Sequence, residues 1–460
     1  MQHAASKKKN HRGASSGGFS EFLSSSKVNL ALAIPVVVGQ LGHIATGVAD
    51  SIMVGQLGTI PLAAVSFANS FLALPLVLGI GISYGLTPLV ARAMGQGKHA
   101  KTGRLLENSL WINGVLGAAL ALLTLAVPAA GAWLGQPKDV MDTATGYVNV
   151  VGFSLFPLML FMSYKQFSEG RGNTVMATRI SLLGNGLNVG LNYVLIYGLW
   201  GMPEMGMTGA GVATAISRIF MAAALAWSIH RAPSFQESLA GFHEAPPRKK
   251  PMAAILKLGV PTALQYLFEV GAFAASAWII GTTGAIPLAA HQIAINLASI
   301  SYMAASGFGA AATIRVGQFL GQNKPREAQS AATNLFVLTL GFMALAGVAF
   351  FLGKEWLPSL YNEHPGTIAA ASQLLLVAVF FQLSDGVQVT ALGALRGLGD
   401  VRIPTLATFV VYFGITLPLA YFAAKHWGMG ALGVWQALAL GLTLSAGFLT
   451  YRFYRVLKTK

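Results

Sequence analysis

The chain has 460 residues, 54% of them hydrophobic and only 10% charged, with a mean hydropathy of +0.61. Soluble domains are about one quarter charged, so fifteen acidic side chains are too few to solvate a 48.1 kDa globule. Cysteine is absent, which excludes disulfides, thiolate catalysis and Cys-based metal sites.

Residues 1–28 are polar and basic, with Lys7, Lys8, Lys9 and Arg12, and read as a disordered cytoplasmic tail. The apolar stretch that follows is too long for a secretory signal and lacks a small-residue cleavage site, so it is the first spanning helix. Apolar runs of about 20 residues then recur, as membrane-spanning helices require. They predict spans near 29–55, 62–91, 105–130, 143–167, 175–199, 208–230, 253–280, 286–315, 329–353, 366–394, 404–425 and 430–452. Between the sixth and seventh lies a hydrophilic segment, 231–252, with Pro233, Pro246, Pro247 and Arg248-Lys249-Lys250. It reads as a cytoplasmic linker between lobes 29–230 and 253–453, with 454–460 as a short cytoplasmic tail. The expected fold is an all-α polytopic membrane protein of twelve transmembrane helices in two six-helix lobes.

An even number of spans puts both termini on one side. With the termini inside, 27 of the 30 Lys and Arg residues fall in cytoplasmic segments and helix ends, leaving Lys138, Lys354 and Lys425 outside. That asymmetry is the positive-inside rule, and it accounts for the net charge of +15 without a nucleic acid. The basic linker is expected to rest on anionic lipid headgroups of the bilayer.

The two halves repeat. Adding 226 carries Pro35 to Pro261, Gly58 to Gly284, Pro61-Leu62-Ala63-Ala64 to Pro287-Leu288-Ala289-Ala290, Gly95-Gln96 to Gly321-Gln322 and Lys98 to Lys324. Gly170-Arg171-Gly172 is echoed by Gly397-Leu398-Gly399. Six helices per half give both halves one orientation, hence a pseudo-two-fold axis along the membrane normal and a cleft between parallel bundles, which is a transporter architecture.

Ionisable groups at bilayer depth cost roughly 2.5–3.5 kcal/mol each on insertion scales and usually mark function. Three acids stand out: Asp50 late in helix 1, Glu269 in mid-helix 7 and Asp385 in mid-helix 10, none with a Lys or Arg within one helical turn. Gln382 and Gln388 share a face with Asp385, beside Phe380 and Phe381. Glu269 follows Pro261, whose ring kinks the helix and frees a carbonyl. Oxygen ligands with an unpaired carboxylate suit Na⁺ at Glu269 and Asp385, and an isolated carboxylate also suits proton exchange. The blander account is that each acid is protonated or hydrogen-bonded to a neighbouring helix. Asn185, Asn188 and Asn192 form one stripe on helix 5, and Gln292 and Asn296 another on helix 8; they either line the cleft or join helices by hydrogen bonds. No G-x-x-x-x-G-K-[ST], HExxH or GxSxG occurs, so neither ATP nor an enzymatic constellation is expected, nor any cofactor beyond a coupling ion. No obligate protein partner is evident.

Several segments resemble the multidrug and toxic compound extrusion (MATE) family, specifically its NorM-type bacterial branch, over about residues 28–455. They are Val48-Ala49-Asp50-Ser51-Ile52-Met53-Val54-Gly55, Phe268-Glu269-Val270, Ala289-Ala290-His291-Gln292-Ile293-Ala294-Ile295-Asn296, Thr313-Ile314-Arg315-Val316-Gly317 and Ser384-Asp385-Gly386-Val387-Gln388 with Gly393-Ala394-Leu395-Arg396-Gly397. The resemblance implies an antiporter of the bacterial inner membrane that expels cationic, amphipathic small molecules in exchange for Na⁺ or H⁺ by alternating access. It implies that Glu269 and Asp385 form the cation site and that Asp50 takes part in coupling. One departure is Phe381, where similar proteins can present an aromatic hydroxyl. The alternative is a flippase for a lipid-linked precursor on a related bundle, which would want cationic residues in the cleft.

Overall fold

A computed structural model describes residues 14–133, 135, 137–244 and 248–460. Lys7, Lys8, Lys9 and Arg12 of the expected tail, and Pro246 and Pro247 of the expected linker, lie outside those residues. Among the described residues twelve long helices follow one another, with no strand. They are α1 (Ala14–Gly55), α2 (Thr59–Gly95), α3 (His99–Gly131), α4 (Lys138–Gly170), α5 (Thr174–Tyr197) and α6 (Gly206–Arg231) in one lobe. In the other are α7 (Lys249–Gly281), α8 (Ala285–Gly321), α9 (Pro325–Leu352), α10 (Pro365–Leu398), α11 (Arg402–Lys425) and α12 (Gly430–Leu457). Eleven of them are long and apolar enough to cross a membrane, with mean hydropathies of 1.3 to 2.5. The exception, α5, is made more polar by Arg179, Asn185, Asn188 and Asn192, yet its 24 residues still reach about 36 Å at 1.5 Å per residue.

Two expectations about the ends change. Helix α1 starts at Ala14, so the part of the tail from there to residue 28 is helical. Its polar residues are held by the other lobe: Asn334 donates to the Phe22 carbonyl (3.2 Å) and to Ser26 Oγ (2.7 Å), and Asn29 donates to Asn334 Oδ1 (2.8 Å). Tertiary contact therefore overrides a composition that alone favours coil. The segment after α6 is likewise folded onto the first lobe. A short helix, Pro233–Leu239, buries Phe235 beneath the Arg171 guanidinium 4.2 Å away, and Arg171 donates to the Ser234 carbonyl (2.6 Å). Glu244 pairs with Arg104 (2.5 Å), and the Arg248 amide donates to Asn108 Oδ1 (2.9 Å).

The repeat in the sequence is a repeat in space. The turns after α2 and α8 match atom for atom: Lys98 N–H bonds to the Ala93 carbonyl as Lys324 N–H bonds to that of Phe319. Both turns need a left-handed residue, supplied by Gly97 (φ +66°) in one half and by Asn323 (φ +57°) in the other. The proline kinks are braced alike, since Thr178 donates to the Pro35 carbonyl (2.9 Å) and Thr405 to the Pro261 carbonyl (2.8 Å). Contacts between the lobes are reciprocal, as a two-fold requires. A Cβ at Gly95 would lie 2.0 Å from the Gln318 carbonyl oxygen, and one at Gly321 would lie 2.3 Å from that of Arg92. Gly81 meets Ala263 in the same way that Gly307 meets Val37.

These contacts occupy one end of the bundle, the end that carries the basic turns. Among the described residues, every hydrogen bond between the lobes joins Phe22–Gln40 to residues between Ser306 and Asn334. Backbone lies directly on backbone along this seam, which is why glycine recurs there. The count of helix-end cations needs one correction. Arg218 and Arg315 sit within α6 and α8, each with polar or aromatic partners that make burial tolerable, while Arg396 stays in the last turn of α10.

Candidate functional site

In the first lobe, the carboxylate of Asp50 projects from α1 towards α5. Asn192 Nδ2 donates a short hydrogen bond to Asp50 Oδ1. With its amide turned, Asn188 donates to the same oxygen at 3.0 Å and accepts from the Thr214 backbone N–H at 3.2 Å. Two of the three stripe asparagines thus meet the acid. The third, Asn185, lies against Gly42 of α1, with its Nδ2 buried and unpartnered. Asp50 also interacts electrostatically with Arg218. The guanidinium of Arg218 donates to Ser154 Oγ (2.7 Å), at the break between the two segments of α4, and approaches the Val151 carbonyl (3.5 Å). A kink frees carbonyls that apolar surroundings cannot satisfy, and an arginine here covers them.

In the second lobe, α7, α10 and α11 converge on a buried polar chamber. The α7 turn after Pro261 carries Gln265 and Glu269, both buried. Gln265 Nε2 donates to Glu269 Oε1 (3.4 Å), and so does Gln388 Nε2 from α10 (3.2 Å). Asp385, one turn before Gln388, is buried too and interacts electrostatically with Glu269. Among the described residues, neither carboxylate is in an ion pair. Gln382 is fully buried with both amide atoms unpartnered. Phe381 packs into the hydrophobic core against Trp435, with ring centroids 5.4 Å apart, and Phe380 is 74% exposed on the helix's outer side. On α8, Gln292 and Asn296 bond only to each other (3.4 Å) on an exposed face, and His291 accepts from Trp435 Nε1 (3.0 Å) as a core histidine.

Tyr412 completes the chamber, and nothing in the sequence singled it out. It lies in a π-helical turn, Val410–Thr416, inside α11, and its hydroxyl is 3.2 Å from Gln388 Nε2 and 3.3 Å from Gln388 Oε1. Phe409, just before this turn, stacks on Phe413 within it, and both meet Phe268 of α7 at an angle. No local pattern announces a π turn; Gly414 is the lone hint.

Between the lobes, within the stretch bounded by the Gly81/Gly307 and Gly95/Gly321 contacts, a cavity of about 30 Å³ is lined by Gln40, Tyr84, Lys165, Glu169, Tyr266 and Arg396 among others. It has room for one or two waters. Thr87 and Thr313, also in its wall, are repeat mates at +226. Glu169 and Arg396 occupy equivalent places in the +227 register of Gly170-Arg171-Gly172, so the repeat itself offered the signal that they belong together. Glu169 Oε1, Gln166 Nε2 and Arg396 Nε are buried there without a hydrogen-bond partner. Arg396 donates to the Tyr266 hydroxyl (3.3 Å).

Comparison with known proteins gives consistent results. The family model MatE matches residues 35–194 and 261–422. A probable multidrug resistance protein NorM of Xanthomonas axonopodis pv. citri (strain 306) is 33% identical over 425 residues, 92% of each chain. Another of that description, from Agrobacterium fabrum, is 33% identical over 455 residues, 96% of each chain. Among solved structures, a MOP superfamily transporter from Pyrococcus furiosus superposes with a TM-score of 0.87 at 19% identity, over 98% of this chain and 99% of the other. A Vibrio cholerae MATE transporter in its bent form gives 0.87 at 19% identity, over 96% and 98%.

Proposed function

The chain belongs to the MatE family, and from that membership we propose that it is a multidrug efflux transporter of a bacterial inner membrane, exchanging cationic amphipathic molecules for Na⁺ or H⁺. It is a multi-pass membrane transporter and not an enzyme. The observation that carries the ion-coupled reading is the chamber of Glu269 and Asp385. Two buried carboxylates, neither in an ion pair among the described residues, lie beside amide and hydroxyl groups: Glu269 Oε1 accepts from the Gln265 and Gln388 amide nitrogens, and the Tyr412 hydroxyl meets Gln388, so oxygens able to turn to a hard monovalent cation are at hand.

Among the described residues no group of three or more His, Cys, Asp or Glu side chains gathers to hold a metal. A bound Na⁺ would therefore draw its further ligands from Gln388 and Gln382. Cation entry neutralises repulsion between Asp385 and Glu269 and lets α7 and α10 approach. Because α7 also carries Tyr266, and α10 carries Arg396, the same movement disturbs the seam. Both termini and the basic seam face the cytoplasm in this reading, and the lobes meet each other on that side. Asp50, with Asn188 and Asn192, is the corresponding polar site of the first lobe and takes part in coupling or cargo binding. The flippase alternative gains nothing from the relatives, which are described as multidrug resistance proteins.

Everted vesicles loaded with a fluorescent cationic dye test the proposal. Dye movement should respond to a Na⁺ jump or a pH jump and be lost in Glu269→Gln and Asp385→Asn at matched expression. Movement indifferent to both ions in folded wild-type protein would overturn it.

A further inference from the structure

Within the chamber, the hydroxyl of Tyr412 is nearly equidistant from both ends of one amide, 3.2 Å from Gln388 Nε2 and 3.3 Å from Gln388 Oε1. We propose that Tyr412 is a positioning residue for the coupling cation, acting through Gln388, whose amide it allows to turn over between the empty and the filled site. The inference rests on the ion-coupled reading above and deepens it.

In the arrangement seen here, Gln388 turns its nitrogen to Glu269, with Nε2 3.2 Å from Oε1. That face suits a bare carboxylate, because an amide NH₂ only donates. A cation at Glu269 needs the opposite face, since Na⁺ takes oxygen ligands and an NH₂ pointing at it is repelled. Half a turn about the last bond of Gln388 brings Oε1 round to the cation. The turn would be costly in a buried site if it left either amide atom without a partner.

A tyrosine hydroxyl removes that cost because it both donates and accepts. With nitrogen towards Glu269, Tyr412 O–H donates to Oε1; with oxygen towards the cation, the NH₂ donates to the Tyr412 oxygen. Tyr412 is fully buried, and its hydroxyl makes no other hydrogen bond among the described residues. A tyrosine serving only as packing needs one partner atom, not two at matched distances. The π turn explains how it comes to be there. This turn presses Phe413 on Phe268, the neighbour of Glu269, while aiming Tyr412 at α10. Both acid-bearing helices are thereby read by the same seven residues, Val410–Thr416.

The test uses the full chain in proteoliposomes, with efflux of a fluorescent cationic dye followed during titration with Na⁺ at fixed pH and with H⁺ at fixed Na⁺. Tyr412→Phe, which removes one oxygen, should raise the half-saturating concentration of the coupling ion about tenfold and leave the maximal rate within about twofold. Gln388→Leu should do the same, and the double variant should be no worse than either single. Gln388→Glu offers oxygen in either orientation, so it should restore half-saturation in the Tyr412→Phe background. Unchanged half-saturation with a lower maximal rate, or effects of the two residues that multiply, would overturn the proposal. If wild type itself ignores both ions, the ion-coupled reading falls and this one with it; if only the variants behave like wild type, Tyr412 alone is dismissed.

Discussion

Tyr84 of α2 and Tyr266 of α7 face each other across the lobe boundary with ring centroids 5.7 Å apart. The Arg396 guanidinium lies 5.8 Å from the first ring and 5.3 Å from the second, so one cation is shared by aromatic faces of both lobes. Cation–π contacts are worth about 0.5–2 kcal/mol according to their desolvation.

That arrangement makes Tyr84 a latch. Replacing it, Tyr84→Ala, should move the protein towards the form open at the basic end by roughly 2- to 30-fold. The chain has no cysteine, so Ala310→Cys in the cavity wall gives an uncontested reporter. Labelling by an impermeant thiol reagent from the cytoplasmic side should rise severalfold in Tyr84→Ala; equal rates would show that the rings do not hold the seam.

Sterics at the seam make a second forecast. Gly95→Ala and Gly321→Ala each place a methyl within about 2.3 Å of a carbonyl oxygen of the opposite lobe, too close to accommodate without parting the helices. Both should raise labelling of the same cysteine and suppress transport. Gly97→Asn, by contrast, copies what Asn323 already does in the other half at φ +57° and should keep transport within about twofold. A defect in Gly97→Asn as severe as in Gly95→Ala would refute the assignment of strain to the seam.

Arg218 and Asp50 should separate in their effects. Arg218→Met strips donors from Ser154 and from the Val151 carbonyl, at about 1–3 kcal/mol, and should lower the unfolding midpoint of detergent-purified protein. Asp50→Asn leaves an amide that Asn192 can still meet, so the midpoint should hold while transport falls at least tenfold, the order expected of an essential group. The reverse pattern would exchange their roles.

For the folded linker, Phe235→Ala empties a fully buried site under Arg171 at a cost of about 3–5 kcal/mol. Trypsin should then cut at Arg248 and Lys249 in variant vesicles far faster than in wild type. Comparable digestion of the two would show that the segment is free in both.

Which of these features a reader of the sequence could see depends on whether their cause is local. Spans, the halves and their boundary follow from hydropathy and from Pro35/Pro261 and Gly58/Gly284, since each is a pattern along the chain. Asp50, Glu269 and Asp385 were visible because charge in an apolar run is conspicuous. Partnerships were not: that Asn192 and Asn188 meet Asp50 while Asn185 does not is set by how α5 rolls against α1. Tyr412 depends on a π turn, which shifts the phase of a helix without a mark in composition. The helical start of α1 has no local mark, because Asn334, more than 300 residues away, holds it.

The glycine seam has a kinetic consequence. Where side chains interlock, two bodies separate only after many rotamers are released together, and each release adds to the barrier. At Gly81, Gly95 and Gly321 little has to disengage, because main chain rests on main chain, whereas Gly307 meets the Val37 side chain. Resistance to parting is then concentrated in a few polar and aromatic fastenings, Asn29 with Asn334 and Arg315, and Arg396 with its two rings. Such a joint turns over at a rate set by those few groups, and a single substitution among them retunes the speed of the whole cycle without altering what is carried.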